Sequence, residues 1–198
     1  MRLAAPDRRH QLVGVARDVF AAKGFHATSM DDVAVAAGVT KPVLYQHFTS
    51  KRALYIELLE TVGEELLAAI AAAAGGVSGG RRRVEAGFGA YFGYVMSNRM
   101  SFRLLFGASV RNDEDFARVV ERVIEQIAEA ISGFIEIDAT SEHRRVLAHA
   151  LVGVSEATAR RALNDPDAEH SPERLATWLS EMAWFGLRGV RSDDLPSG

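Results

Sequence analysis

Apolar positions in the first part of the chain repeat at helical spacing. Leu12, Val15, Ala16, Val19 and Phe20 fall at i, i+3, i+4, i+7 and i+8, one face of a first helix. Gly24 is placed to stop it, as a glycine at a helix C-terminus does. Thr28 and Ser29 are natural N-caps for a short second helix, with Asp31 and Asp32 in its favourable first turn. Met30, Val33, Ala34 and Ala37 form the buried side of that helix, and Gly38 closes it. Thr40 is placed to cap a third helix opening on Lys41 and Pro42. Beyond Phe48, Ser50 caps a longer fourth helix with Leu54, Leu58, Leu59, Val62, Leu66 and Ile70 on one side.

The run AAAAGGVSGG at 71–80 frays the fourth helix into a Gly/Ser loop. Later helical patterns cover about 82–98, 100–109, 114–137, 142–164 and 172–190, with breaks at Asn112–Asp113, at Asp138 to Ser141 and across 164–172. No β-hairpin signal and no internal repeat occurs. The pattern predicts an all-α protein: an N-terminal three-helix helix-turn-helix domain over 1–53 and a C-terminal helical domain over 54–198.

Composition changes this picture little; charge changes it more. The hydrophobic share of 48% and charged share of 25% are those of an ordinary globular chain. The net charge of −3 conceals an asymmetry: residues 1–52 carry eight Lys/Arg against four Asp/Glu, and residues 53–198 carry fifteen against twenty-two. A basic head on an acidic body suits local attraction to phosphate without general stickiness. The chain has no cysteine, which excludes disulfides, thiolate metal sites and cysteine nucleophiles and suits a cytoplasmic protein. No apolar stretch is long enough for a bilayer, and MRLAAPDRRHQLV has no signal-like core, so no membrane partner is expected.

The chemistry sits between Thr28 and Leu54. Two short helices joined by a tight turn at Gly38 match a helix-turn-helix, whose first helix braces on the DNA backbone while the second enters the major groove. In the second of these, Leu44 and Phe48 face inward. The other side offers Thr40, Lys41, Val43, Tyr45, Gln46 and His47, a set able to bond phosphates, read base edges and touch thymine methyls. The same residues also suit a merely solvated polar face.

The flanking pattern favours the first reading. AxxxFxxxGFxxTSMDDVAxxAGVxxPxLYxHFxSKxxLY, from Ala16 to Tyr55, resembles the N-terminal domain of the TetR family of bacterial regulators. That resemblance implies roles at matching positions. Thr28 and Ser29 would contact phosphate, and Lys41, Pro42 and Val43 would reach bases. Tyr45 and His47 would lie on the sugar-phosphate backbone or, alternatively, pack between helices. Gln46 would meet either phosphate or a base, and Lys51 would clamp a phosphate at the fourth helix N-terminus. Arg8 and Arg9 either extend an N-terminal arm to the DNA or do not touch it.

One such module reads few base pairs, so two-fold pairing on a pseudo-palindromic operator is expected. The resemblance implies a four-helix homodimer interface from the last two helices, with Leu147, Ala150, Leu151, Val154, Trp178, Leu179, Met182 and Phe185 as candidates; the alternative is that both helices are ordinary core. It also implies a pocket for a small-molecule effector in the central helices. Phe88, Tyr91, Phe92, Tyr94, Val95, Phe102, Arg103, Phe106, Val120 and Ile124 are its candidate walls, joined by Phe116. Such an aromatic cluster suits plain core as well as a site; two tyrosines, Asn98 and Arg103 are the polar groups able to orient a largely apolar, elongated or aromatic ligand.

Enzyme chemistry finds little support. The six histidines include no HExxH, and GGVSGGRRR lacks the Lys-Ser/Thr and the strand of a phosphate loop, so no catalytic residue, metal or cofactor is expected. The sequence therefore predicts a ligand-responsive DNA-binding regulator, most simply a repressor released from its operator by an effector. The rival is a helical ligand-binding or interaction module without DNA binding, for which an intact Thr40, Lys41, Tyr45, His47 and Lys51 would have no purpose.

Overall fold

In the computed structural model, residues 5–165 and 171–189 are described, and among them every regular element is a helix. These are α1 (Ala5–Ala27), α2 (Met30–Ala36), α3 (Lys41–His47), α4 (Lys51–Gly75), α5 (Gly80–Ser97), α6 (Arg99–Phe106), α7 (Ala108–Arg111), α8 (Glu114–Ser132), α9 (Ser141–Asn164) and α10 (Pro172–Gly189). Of the expected 164–172 break, residues 166–170 lie outside the described residues, as does residue 190 at the expected end of the last helix.

The helix borders follow local chemistry. Within α1 the helical backbone breaks at Gly24 (φ 78°, ψ 165°). Ser29 caps α2 through a reciprocal box: its hydroxyl accepts from the Asp32 N–H at 3.1 Å, and the Asp32 carboxylate accepts from the Ser29 N–H at 2.8 Å. The α2–α3 turn runs through Gly38 at φ 63°. A Cβ there would meet nothing within 4 Å, so the demand for glycine is one of backbone conformation. Ser50 caps α4 by accepting from the Ala53 N–H at 3.0 Å, and Thr140 caps α9 by accepting from the His143 N–H at 3.1 Å.

Two expected helices are cut short. The pattern at 100–109 divides into α6 and α7 at Gly107, where a Cβ would come within 2.2 Å of the Arg103 carbonyl oxygen. The pattern at 114–137 ends as α8 at Ser132, beyond which i→i+3 bonds from Phe134 to Ile131 and from Ile135 to Ser132 unwind the chain. Ile135 is nevertheless buried, so the apolar periodicity continued into a segment that packs without being helical.

The chain forms two compact units. The first comprises residues 1–63 and 100–121, the second 64–99 and 122–198. The expected border at 53/54 therefore does not mark a division by contact, because the first turns of α4 and a stretch from α6 into α8 belong with the N-terminal helices. Leu12, Val13, Ala16, Phe20, Val33, Leu44, Phe48, Leu54, Leu58 and Phe116 form the core of the first unit. Phe20, Phe25, Tyr55 and Phe116 cluster there, with ring centroids 4.9 Å apart for Phe20–Tyr55 and 4.8 Å for both Phe25–Phe116 and Tyr55–Phe116. In the second unit α10 packs along α5, and Phe88, Tyr91, Phe92, Val95, Leu175 and Leu187 are buried. No helix among the described residues is long and apolar enough to cross a membrane.

Candidate nucleic-acid interface

α3 is seven residues long and too short to persist in isolation, so its position is set by what it buries. Leu44 and Phe48 are 0% and 2% exposed and anchor it in the first unit's core. The Arg9 guanidinium lies 4.4 Å from the Phe48 ring centroid, donates to the His47 carbonyl at the end of α3, and pairs with both oxygens of Glu57 on α4. Arg9 thereby ties α1, α3 and α4 together. Of the two readings left open for it, the structure places it in the fold; Arg8 donates to Gln11 at 2.9 Å on the same helix.

With that side anchored, the opposite face of α3 points outward. Thr40, Lys41, Pro42, Tyr45 and Gln46 are exposed, and Val43 and His47 are half-buried. The Thr40 side chain makes no capping bond, which leaves its hydroxyl on the surface. Tyr45, 44% exposed, is an aromatic with a polar tip held at the surface beside a lysine. The Lys41 ammonium donates to the Asp31 carboxylate of α2 at 3.0 Å. These seven residues, Thr40 to Val43 and Tyr45 to His47, are thus gathered on one short helix and its cap, as their spacing predicts.

Three predicted contacts fare differently. Thr28 is only 2% exposed, and its hydroxyl donates to the Gly24 carbonyl at 2.7 Å. The hydroxyl thus closes the end of α1 in this structure. Ser29 is exposed, but its side chain is engaged with Asp32 in the cap of α2. A hydrogen bond from Lys23, followed by those from Ser29, holds the Asp32 carboxyl well below the usual carboxylate range.

Lys51 is engaged within the fold. Its ammonium donates to the carbonyls of Phe25 at 2.8 Å, His26 at 3.4 Å and Thr28 at 2.7 Å, and sits 4.5 Å from the Phe25 ring centroid. An ammonium has three donors, and all three are taken. In this arrangement the side chain expected to clamp a phosphate is a cation seated on carbonyls at and just beyond the C-terminal end of α1.

Arg52 is a further organising cation of the first unit, one that no motif in the sequence singles out. It donates to Asp113 at 2.9 and 2.6 Å and to Asp115, and its guanidinium lies 4.7 Å from the Phe116 centroid. Asp113 in turn accepts the backbone N–H groups of Asp115 and Phe116 that open α8. The Arg52 hydrogen bonds are the main cause that lowers the pKa of both carboxyls. Only the fold brings residues 61 and 63 positions apart together here; no local pattern announces them.

The candidate effector residues divide between the units. Phe102, Arg103, Phe106 and Val120 belong to the first, with Arg103 exposed; Phe88, Tyr91, Phe92, Tyr94, Val95 and Ile124 belong to the second. Phe116, expected on a pocket wall, is instead part of the aromatic cluster with Phe25 and Tyr55. Of the polar groups, the Tyr94 hydroxyl donates to Glu65 at 2.8 Å and the Asn98 amide to the Tyr94 carbonyl at 2.9 Å. Tyr91 is different: the residue is 7% exposed and its buried hydroxyl has no hydrogen-bond partner among the described residues. Burial pushes its pKa far upward, so it remains a donor.

The candidate dimer residues lie on α9 and α10 in the second unit. Trp178, Met182 and Phe185 are 48%, 52% and 67% exposed at i, i+4 and i+7 of α10, and Val146 on α9 is 61% exposed. Ala150 is exposed; Leu147, Leu151 and Val154 are half-buried. Leu179, also a candidate for the dimer interface, is buried within its own unit.

Comparison with known proteins agrees with this geometry. Residues 12–58 match the family of bacterial regulatory proteins, tetR family, and residues 81–186 match a tetracyclin repressor-like C-terminal domain. The HTH-type transcriptional activator FasR of Mycolicibacterium smegmatis is 34% identical over 191 residues, covering 96% of this chain and 87% of that protein. A TetR-like transcriptional regulator from Rhodococcus sp. RHA1 is 31% identical in sequence, with a TM-score of 0.68 over 96% of this chain and all (100%) of that one. FadR from Bacillus subtilis, solved in complex with stearoyl-CoA, shares the fold with a TM-score of 0.75 at 13% identity, over 92% of this chain and 99% of its own.

Proposed function

The chain belongs to the tetR family of bacterial regulatory proteins, and from that premise we propose that it is a homodimeric regulator released from a pseudo-palindromic operator by a small, largely apolar effector. The observation that carries this reading is the division of α3: Leu44 and Phe48 are fully committed to the core while Lys41, Pro42, Tyr45 and Gln46 stand clear of it. A helix so anchored can enter a major groove with its free face forward. Lys41, Pro42 and Val43 then read base edges, Tyr45 and His47 hold the sugar-phosphate backbone, and Thr40 and Gln46 supply further hydrogen bonds.

The outward apolar residues Trp178, Met182 and Phe185, at helical spacing on α10, and Val146 on α9 support pairing through these two helices, since exposed large apolar side chains clustered on one helix face mark an interaction face. The effector reading is supported by the Tyr91 hydroxyl, which is buried on a ring packed against Phe92 and has no hydrogen-bond partner among the described residues. A long acyl chain with a carbonyl near its polar end is a ligand class of this kind, and it is the class held by the Bacillus subtilis neighbour.

The test is a selection of bound sequences from random DNA at stated salt, followed by footprinting, with Lys41→Ala and Tyr45→Ala beside the wild-type chain. A two-fold-symmetric site, bound by the wild type and weakened in both variants, is expected; no sequence selectivity in the wild type refutes the regulator. Phe185→Asp should convert the dimer to monomer in sedimentation analysis, and titration with stearoyl-CoA should lower operator affinity. A second reading, activation, is favoured by the name of the Mycolicibacterium relative. Transcription from the selected site, with and without the protein, separates the two.

A further inference from the structure

Lys41 opens the helix assigned to base reading, and its ammonium is already occupied. The Asp31 carboxylate, in the first turn of α2, accepts from it at 3.0 Å. The adjacent Asp32 has clear structural duties, capping α2 and pairing with Lys23. Asp31 has none of these, and its pair with Lys41 is open to solvent, with side chains 61% and 51% exposed. Such a pair contributes little to folding. Its effect is felt when a polyanion approaches, because the carboxylate competes with phosphate for the one cation at the start of α3.

We propose that Asp31 is a specificity-determining residue for DNA recognition: it holds the Lys41 ammonium against α2 and so withholds it from phosphates that any duplex offers. This rests on the reading of Lys41 as a base contact. On an arbitrary sequence Lys41 gains only a phosphate oxygen, in place of a carboxylate it must partly give up, and the Asp31 charge faces the backbone uncompensated. On the operator Lys41 reaches a base edge such as guanine O6 and N7, which an ordinary duplex position does not align with it. The carboxylate therefore subtracts more from non-specific than from specific binding. The hydrogen bond to Asp31, reinforced by the charge of that carboxylate, raises the Lys41 pKa above its ordinary value.

The experiment compares full-length wild type, Asp31→Asn, Asp31→Glu, Lys41→Ala and the Asp31→Asn/Lys41→Ala double variant. Fluorescence anisotropy is read on the selected site and on a random duplex of equal length across a salt series. Asp31→Asn should bind the random duplex about three- to tenfold more tightly, bind the operator with a smaller gain, and steepen the random-duplex salt slope by about one ion. Asp31→Glu should restore the discrimination, and in the Lys41→Ala background Asp31→Asn should lose most of its effect. Only a small fall in melting temperature is expected of Asp31→Asn, which gives up a first-turn charge and an exposed pair while Asp32 retains the cap. An equal gain on both duplexes, or a full effect without Lys41, overturns the proposal and leaves Asp31 as a distant repulsive charge. Absence of selective binding by the wild type overturns the regulator reading and the proposal together; selectivity unaffected by Asp31→Asn overturns the proposal alone.

Discussion

Phe116 offers the sharpest test of how the DNA-reading unit is held together. It lies in the first turn of α8, 1% exposed, with the rings of Phe25 and Tyr55 each 4.8 Å away and the Arg52 guanidinium 4.7 Å from its centroid. Phe116→Ala removes a buried ring and leaves a cavity among residues of α1 and α4. Substitutions of this kind cost about 3–5 kcal/mol. Two aromatic pairs at about 0.5–1.5 kcal/mol each and one cation–π contact are lost in addition to apolar burial, which places this variant in the upper half of that range. Phe116→Leu, which keeps most of the volume, should cost about 1.5 kcal/mol or less. The assay is guanidinium unfolding followed by tryptophan-independent far-UV signal, combined with a double-mutant cycle against Phe25→Leu. A coupling of about 0.5–1.5 kcal/mol is expected between them. Operator affinity should fall in Phe116→Ala although the residue touches no DNA. A loss of stability below about 1 kcal/mol, or additive single and double variants, refutes the assignment of this ring to the core beneath the helix-turn-helix.

Three further outcomes follow from the same geometry. Lys51→Met should lower the melting temperature and weaken operator binding with an unchanged salt slope, whereas loss of a phosphate contact would reduce the slope by about one. Arg52→Gln should remove stability at neutral pH and flatten its acid dependence. The folded pKa values of Asp113 and Asp115 lie below the ordinary carboxylate value, so their pairing is fully felt above that ordinary value and fades as pH falls through the lowered ones; pH-dependent melting of wild type and variant reads the difference. Tyr91→Phe should melt above wild type in the ligand-free state, because it deletes an unsatisfied buried hydroxyl worth about 1–3 kcal/mol. It should also shrink the shift in melting temperature produced by stearoyl-CoA, which calorimetry with and without the acyl-CoA measures.

What the sequence determined by itself is the local part of the answer. Helical periodicity, the caps at Ser29 and Ser50, the turn at Gly38 and the polar outer face of α3 each depend on neighbours within a few positions, and each is legible for that reason. The match of Ala16 to Tyr55 to the tetR pattern is legible on the same grounds. The use of long cationic side chains, and of rings with no partner nearby in sequence, depends on the tertiary fold. Lys51 looks the same on paper whether it meets phosphate or the carbonyls of Phe25 and Thr28, and Arg9 the same whether it reaches DNA or Glu57. Phe116 reads equally as pocket or core until Phe25, Tyr55 and Arg52 close around it. A flexible side chain takes its role from whichever desolvated group the fold carries within reach, and contacts some sixty residues apart leave no trace in local spacing.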